Sequence, residues 1–113
     1  MKSADPEPLE GNIMLIVTGY MHVDPSDLSR FHGDLQAIAL VVRQRRGNLS
    51  YDAAIDDPEA GRLLVVERWR DQAALTGHLD APELKAFVHR WQGKMQGDIR
   101  KYDACNERDL MAD

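Results

Sequence analysis

Two segments of this chain combine strand propensity with apolar side chains on both alternating faces. Residues 13 to 23 read IMLIVTGYMHV, and residues 62 to 70 have the apolar run LLVV directly after Arg62. Successive side chains of a strand point to opposite faces of a sheet, so Leu15 and Val17 share one face while Ile16 lies on the other. Strands of this kind are buried on both sides. A sheet built from them therefore needs cover on both faces.

A helix is predicted directly after the first strand. Asp24 can accept a hydrogen bond from a free backbone amide, Pro25 suits the first helical position, and Asp27 suits the positive end of the helix dipole. Apolar residues then recur at spacings of three and four, which indicates one buried stripe on a helix that stops before Gly47. The stripe consists of Leu28, Phe31, Leu35, Ile38 and Val42.

Capping signals locate two further helices in the second half of the chain. Asp71 is placed to cap a short helix over residues 72 to 79, and Asp80 with Glu83 has the spacing of a capping box. The second helix carries Leu84, Phe87, Val88, Trp91 and Met95 on one face and is predicted to continue until Gly97. The remaining predicted strands cover residues 48 to 55, 62 to 70 and 98 to 104.

The order βαββαβ predicts an α+β fold of the ferredoxin-like type. With right-handed crossovers, the four strands form one antiparallel sheet with both helical layers on one face. The second face would remain apolar, and uncovered apolar surfaces of several hundred Å² are rare on soluble monomers. A second copy related by a twofold axis covers it most simply, which predicts a homodimer packed sheet against sheet. The domain spans 13–104, between a flexible arm (1–12) and a tail (105–113).

Composition limits the partners and the compartment. The 113 residues are 43% hydrophobic and 29% charged with a net charge of −5, typical of one globular domain and unfavourable for nucleic acid. The basic cluster Arg43, Arg45 and Arg46 is interpreted as complementing the negative end of a helix dipole. A single cysteine, Cys105, makes no internal disulfide. No signal-type segment or apolar run of membrane length is seen, so we expect a cytoplasmic protein without a membrane partner.

The residues around the third strand carry a family resemblance. The run VVERWRDQAALTGHL followed by APELKAF, in the order Glu67-x-Trp69-x-Asp71-x-x-Ala74-x-x-x-His78, resembles the antibiotic biosynthesis monooxygenase family. The resemblance covers about residues 13 to 104. It implies a dimeric α+β barrel with a pocket between sheet and helices in each subunit. Such families include oxygenases that use neither metal nor flavin, haem-degrading enzymes, and proteins of no settled activity.

The cofactor-free chemistry that the resemblance implies has simple requirements. A phenol or hydroquinone that has lost its proton in a dry pocket can pass an electron directly to dioxygen. The protein then supplies a base, donors for the developing oxyanion, and walls that exclude water. We therefore expect no cofactor. The histidines His22, His32, His78 and His89 lack the close spacing of metal ligands, so no metal site is expected. Haem degradation is disfavoured because the first strand has no Asn.

The resemblance assigns His78 as catalytic base or donor, and Trp69 as pocket wall with an indole N–H donor. The alternatives are a helix-end histidine that bonds a free carbonyl and a tryptophan that only fills the core. Glu67 is interpreted as a structural carboxylate that holds an arginine or a backbone amide. Relatives often carry a second histidine after the proline, where this chain has Glu83. The predicted substrate-binding residues are Tyr20, His22, Tyr51 and His89.

Two functional hypotheses follow. The first is a cofactor-independent monooxygenase that oxidises a small phenolic or quinol-like aromatic with dioxygen. The second is a non-catalytic dimer that binds a small apolar ligand or only supports a partner. The presence of a cavity between the sheet and the helix after Pro82 distinguishes the two hypotheses, since the second hypothesis predicts that large side chains fill this space.

Overall fold

The computed structural model describes residues 13–113. The flexible arm predicted for residues 1–12 lies outside the described residues. The elements are, in order, β1 (Met14–Val23), a 3₁₀ turn (Pro25–Asp27), α1 (Leu28–Val42), β2 (Asn48–Asp57), β3 (Arg62–Trp69), α2 (Gln72–Leu79), α3 (Pro82–Trp91) and β4 (Met95–Ala104). Residues 105–113 follow β4 without a helix or strand.

The four strands form one antiparallel sheet in the order β2-β3-β1-β4, which confirms the ferredoxin-like prediction. The register aligns one residue of each strand in a row across the sheet. Glu67 lies opposite Tyr51 on one side and Val17 on the other, and Val17 lies opposite Lys101. Because directly paired residues share a face, this row brings four side chains to one side of the sheet.

The helices pack on the face that carries the odd-numbered residues of the strands. Leu15, Val17, Leu63, Val65 and Trp69 are buried there. They form one core with the α1 stripe predicted from the sequence and with Phe87 and Trp91 of α3. Burial of this single face gives β1, β2 and β3 their alternation of buried and accessible residues, whereas no residue of the edge strand β4 is buried.

The opposite face has no covering layer among the described residues. Its central strands contribute Ile16 and Tyr20 from β1, Leu64 and Val66 from β3, and the edge strand β4 contributes Tyr102. Tyr20 is 42% exposed, Leu64 37% and Tyr102 54%. We call this surface the open face.

The first helix begins later than the Asp24 signal predicts. Asp24 does accept a hydrogen bond from the backbone N–H of Ser26, but it caps only the single 3₁₀ turn. The α-helix starts at Leu28. The chain ends α1 at Val42, and the following residues turn back toward β2, where Gly47 takes a left-handed conformation with φ of +86°.

Two predictions about the last helix are wrong. Its N-cap is Ala81 without a side-chain hydrogen bond, because Asp80 ends α2 and the Glu83 carboxylate pairs with Arg45. The helix ends at Trp91 and not at residue 96, since Gly93 adopts a φ of +79° that stops it. Met95 therefore belongs to β4, which starts three residues earlier than predicted. No helix in the part described is long and apolar enough to cross a membrane.

Candidate active site

A cavity of about 490 Å³ lies between the sheet and the helices α2 and α3. Its walls are mostly apolar, with polar groups concentrated at Tyr51, Glu67 and His78 and two cations on β4. The complete lining is Val17, Met21, Leu35, Tyr51, Val65, Glu67, Leu75, His78, Leu79, Leu84, Phe87, Val88, Met95, Ile99, Arg100 and Lys101. This volume suits a small organic ligand, and a few convergent polar groups in an apolar pocket are typical of binding and active sites.

Glu67 is a buried carboxylate that faces this cavity. Its side chain is 7% exposed, and its Oε1 accepts a 2.9 Å hydrogen bond from the indole N–H of Trp69. Burial raises the pKa of Glu67 from 4.5 to about 7, although the Trp69 hydrogen bond acts in the opposite direction. A carboxyl group with this pKa exchanges its proton near neutral pH, as a general base must.

The expected arginine partner of Glu67 is absent among residues 13–113. Arg68 points to the open face and donates to Ser50 Oγ, Arg70 pairs with Asp71, and Arg90 pairs with Asp34. The predicted contact with an arginine is therefore not formed, and the donor to Glu67 is the side-chain N–H of Trp69. Without a cation beside it, the carboxylate has no charge partner to offset its burial, which is why its pKa rises.

His78 lies on α2 and also lines the cavity. It is 2% exposed, and its ring stacks on Trp69 with centroids 4.9 Å apart. The rings of Tyr51 and His78 form a T-shaped pair with centroids 5.8 Å apart. Burial first and the charge of Arg45 second lower the pKa of His78 to about 4, so the imidazole is neutral at pH 7. Its Nδ1 is buried without a partner among the described residues. No helix carbonyl accepts from that nitrogen, contrary to the structural alternative.

Tyr51 stands beside Glu67 on the neighbouring strand. It is 4% exposed and directly opposite Glu67 in the β2–β3 register. Burial and the negative charge of Glu67 raise the pKa of its phenol well above the ordinary value. Tyr51 is thus a neutral hydroxyl that can donate a hydrogen bond inside the cavity.

The predicted site residues separate into three groups. His78 and Tyr51 line the cavity. Trp69 is fully buried behind it and is not part of the lining, and its indole N–H is already bound to Glu67, so it does not form the predicted wall. It acts on the cavity only through Glu67 and His78.

The third group lies elsewhere. Tyr20 and His22 lie on the open face, where the guanidinium of Arg62 covers the Tyr20 ring at 4.8 Å. They point away from the cavity because the strand alternation assigns even-numbered β1 residues to the other face. His89 is exposed on the outer side of α3, beside a shallow groove with Lys85 and Gln92. Tyr20, His22 and His89 therefore cannot contact a ligand in the cavity that Tyr51 lines.

Two features of the cavity are not predictable from the sequence. The sequence favours a structural role for Glu67, because nothing in a single sequence reports that a strand carboxylate lacks a cation. No motif identifies Lys101 of β4, although it lies in the same row as Glu67 and its ammonium donates to Gln72 Oε1 at 2.8 Å. Across residues 13–113, no three His, Cys, Asp or Glu side chains converge as a metal site would require.

Comparisons with known proteins agree with this fold. The family model described as "Antibiotic biosynthesis monooxygenase" matches residues 14–90. The curated protein "Putative monooxygenase YcnE" of Bacillus subtilis is 27% identical over 75 residues, which cover 66% of this chain and 79% of that protein.

Solved structures show the same fold at low sequence identity. A putative antibiotic biosynthesis monooxygenase from Deinococcus radiodurans superposes with a TM-score of 0.78 at 23% identity, covering 87% of this chain and 99% of that one. A protein of the same description from Caulobacter crescentus gives a TM-score of 0.77 at 23% identity, covering 85% and 93% of the two chains.

Proposed function

This chain belongs to the antibiotic biosynthesis monooxygenase family, and we propose that it is a cofactor-independent monooxygenase in which Glu67 is the general base. The substrate class is a small phenolic or quinol-like aromatic. The observation that carries the proposal is the Glu67 carboxyl group, which is buried in the cavity wall with a pKa of about 7.

The base is assigned to Glu67 in preference to His78 because of their opposite pKa changes. Efficient general bases have a pKa near the working pH. The pKa of Glu67 is about 7, whereas that of His78 is about 4, which makes the imidazole a poor proton acceptor at neutral pH. In this scheme His78 is a neutral hydrogen-bonding group at the cavity.

The proposed reaction balances without an external reductant. Glu67 removes the phenolic proton, and the phenolate transfers one electron to dioxygen, giving a substrate radical and superoxide. The two radicals combine through a new C–O bond at a ring carbon that bears hydrogen, giving a peroxide anion that takes the proton back from Glu67 and becomes a hydroperoxide. The ring carbon then loses its hydrogen as a proton while the O–O bond breaks to release hydroxide, and the two form water. A phenol and one dioxygen thus become a quinone and one water.

The other cavity residues have matching roles in the proposal. The neutral Tyr51 hydroxyl donates a hydrogen bond to the developing oxyanion, and a donor of this kind inside a dry site is worth more than in water. Leu75, Leu84 and Phe87 exclude water from the aromatic ring. Such exclusion protects the radical pair from side reactions.

The proposal includes a homodimer formed through the open face. Ile16, Leu64, Val66 and Tyr102 give this face an apolar centre that no described residue covers. A twofold axis places the same surface of a second copy against it, which is the isologous arrangement usual for dimers.

Oxygen uptake tests the proposed activity. The purified protein is mixed with a panel of anthrols and quinols while dioxygen is monitored with an electrode, and the products are identified by mass spectrometry with labelled dioxygen. We expect incorporation of one labelled oxygen atom. Glu67→Gln should reduce kcat by about 10² or more, the usual contribution of a general base. Glu59→Gln, the same change at an exposed turn position, is the control.

The non-catalytic hypothesis predicts a different result. A binding protein would take up aromatic ligands in the cavity, detectable by quenching of tryptophan fluorescence, but would consume no dioxygen with any of them. That outcome, with binding unaffected by Glu67→Gln, would overturn the enzymatic proposal.

A further inference from the structure

A second cleft, of about 460 Å³, lies on the other side of His78. We call it the arginine cleft. Its lining is Arg45, Arg46, Arg70, Asp71, Ala73, Ala74, Gly77 and His78. His78 is the one residue that lines both this cleft and the apolar cavity. The basic cluster that the sequence analysis assigned to the end of α1 therefore belongs, in part, to a separate concave surface.

The cleft is built where two connections meet the start of α2. Arg45 and Arg46 come from the turn after α1, and Arg70 comes from the connection between β3 and α2. The backbone N–H of Arg70 donates to the carbonyl of Gly47 at 2.8 Å, which ties the two connections together. A Cβ on Gly47 would lie 2.4 Å from the Cβ of Ala74, so only glycine permits this approach.

Positively charged groups outnumber negatively charged groups in the arginine cleft. Arg45 pairs with Glu83 at 3.1 Å, and Arg70 pairs with Asp71 at 3.3 Å. Arg46 has no carboxylate within ion-pair distance among residues 13–113. This local excess contrasts with the net charge of −5 of the whole chain. The N-terminus of α2 adds its own positive end to the same place.

Buried polar atoms without partners mark the same cleft. Within residues 13–113, the side-chain atoms of this kind are His78 Nδ1 and Arg45 Nε, and both residues line the arginine cleft. Leaving such an atom unpaired costs about 1–3 kcal/mol. Native structures retain few of them. Both residues line this one cleft, and because the two atoms themselves are closed off from solvent, a partner from the cleft reaches them only when the side chains shift.

We propose that the arginine cleft binds a small oxyanion of the phosphate type. Guanidinium groups present several N–H donors in a plane that matches the oxygens of a phosphate, and charge-assisted hydrogen bonds of this kind are the strong ones. Arg46 and Arg70 supply the accessible donors. When these side chains shift toward the cleft, the anion, or a water that it holds, supplies the partner that His78 Nδ1 and Arg45 Nε lack. His78 then connects an anion site to the wall of the aromatic cavity.

Binding of inorganic phosphate tests the proposal without substrate or turnover, so the result does not depend on the proposed monooxygenase activity. The imidazole nitrogen signals of His78 are followed by NMR during titration with phosphate, at constant ionic strength set with chloride. We expect a saturable change in these signals. Arg46→Gln and Arg70→Gln should each weaken binding by about tenfold, the equivalent of one charge-assisted hydrogen bond.

Arg90→Gln is the matched control. Arg90 belongs to another basic cleft, with Arg30 and Lys94, but this cleft already contains the carboxylate of Asp34. The control should bind phosphate as the wild type does. An unsaturable response, or equal weakening by Arg90→Gln, would indicate general screening and would overturn the proposal.

A second titration with phenyl phosphate distinguishes the sources of the anion. A free ion is indicated when phenyl phosphate binds no more tightly than phosphate and leaves the signals of Leu84 and Phe87 unchanged. Tighter binding that also shifts these cavity signals indicates that the anion is one end of a larger aromatic ligand. Both outcomes support the oxyanion site, whereas absence of a His78 response to either probe contradicts it.

Discussion

The indole N–H of Trp69 donates a 2.9 Å hydrogen bond to Oε1 of Glu67, two residues earlier on the same face of β3. This bond holds the carboxylate at the base of the cavity without neutralising it. A salt bridge would have kept the pKa of Glu67 low, whereas one neutral donor leaves burial as the dominant effect. The Glu-x-Trp spacing therefore positions a carboxyl group and leaves its pKa near 7.

The first prediction concerns the pH dependence of activity. Because a general base must be deprotonated, kcat/KM should rise with pH to a plateau, with an apparent pKa of about 7 set by Glu67. Stopped-flow or electrode measurements between pH 5 and pH 9 check this, because they extend about two pH units to either side of that pKa. In Glu67→Gln the residual rate should lose this dependence. A wild-type profile that stays flat over this range would instead point to a base of lower pKa such as His78, whose pKa is about 4.

The second prediction concerns Trp69→Phe. The Trp69 hydrogen bond lowers the pKa of Glu67, so its removal should raise that pKa and move the rising limb of the profile to higher pH. The control is Trp91→Phe. Trp91 is similarly buried, but its indole N–H donates to Asp34 away from the cavity. A merely structural loss would lower the rate of both variants and leave the apparent pKa unchanged.

The third prediction links Glu67 to stability. The folded chain holds the Glu67 proton more tightly than the unfolded chain, so the stability associated with this group is fully present below about pH 4.5 and is lost as pH rises through about 7. The difference between the pKa of Glu67 in the folded chain and in the unfolded chain corresponds to about 3 kcal/mol. Glu67→Gln should therefore gain stability relative to wild type as the pH increases from about 4.5 to 8. Urea denaturation at several pH values measures this, and a constant difference would contradict it.

The fourth prediction concerns His78 and has the opposite sign. The folded chain holds the imidazole neutral, so the stability associated with it is present above about pH 6.5 and is lost as pH falls through about 4. His78→Asn should lose less stability than the wild type over this interval, by about 3 kcal/mol. Thermal unfolding of both proteins across the interval provides the comparison. Parallel curves would show that burial of this ring is not coupled to its charge.

The fifth prediction concerns the open face. Leu64→Lys places a charge at the centre of the proposed dimer interface and should produce a monomer, because a buried unpaired charge is strongly unfavourable. Leu40→Lys is the matched control, since Leu40 is 67% exposed on α1, away from the open face. Light scattering coupled to gel filtration gives the masses. A wild-type protein that is already monomeric at micromolar concentration would remove the dimer from the proposal.

Local patterns were sufficient for the fold. The strand propensity of residues 13 to 23, the α1 stripe and the helix start after Asp71 each depend on neighbours within a few positions, and all three elements are present in the structure. The helix limits were less accurate. Asp24 caps a 3₁₀ turn through Ser26, and Glu83 pairs with Arg45, a residue that only the fold brings close to it.

The family motif located the region of the site but not the roles of its residues. Sequence alone placed Tyr20, His22 and His89 with His78, and they lie on other surfaces, because no linear pattern shows which side of the sheet meets which helix. The periodicity of side chains is a local property that a sequence states directly. The proximity of Glu67 to Tyr51, its lack of a cation, and the arginine cleft behind His78 arise only when distant segments pack, since burial and electrostatic surroundings are properties of the assembled fold.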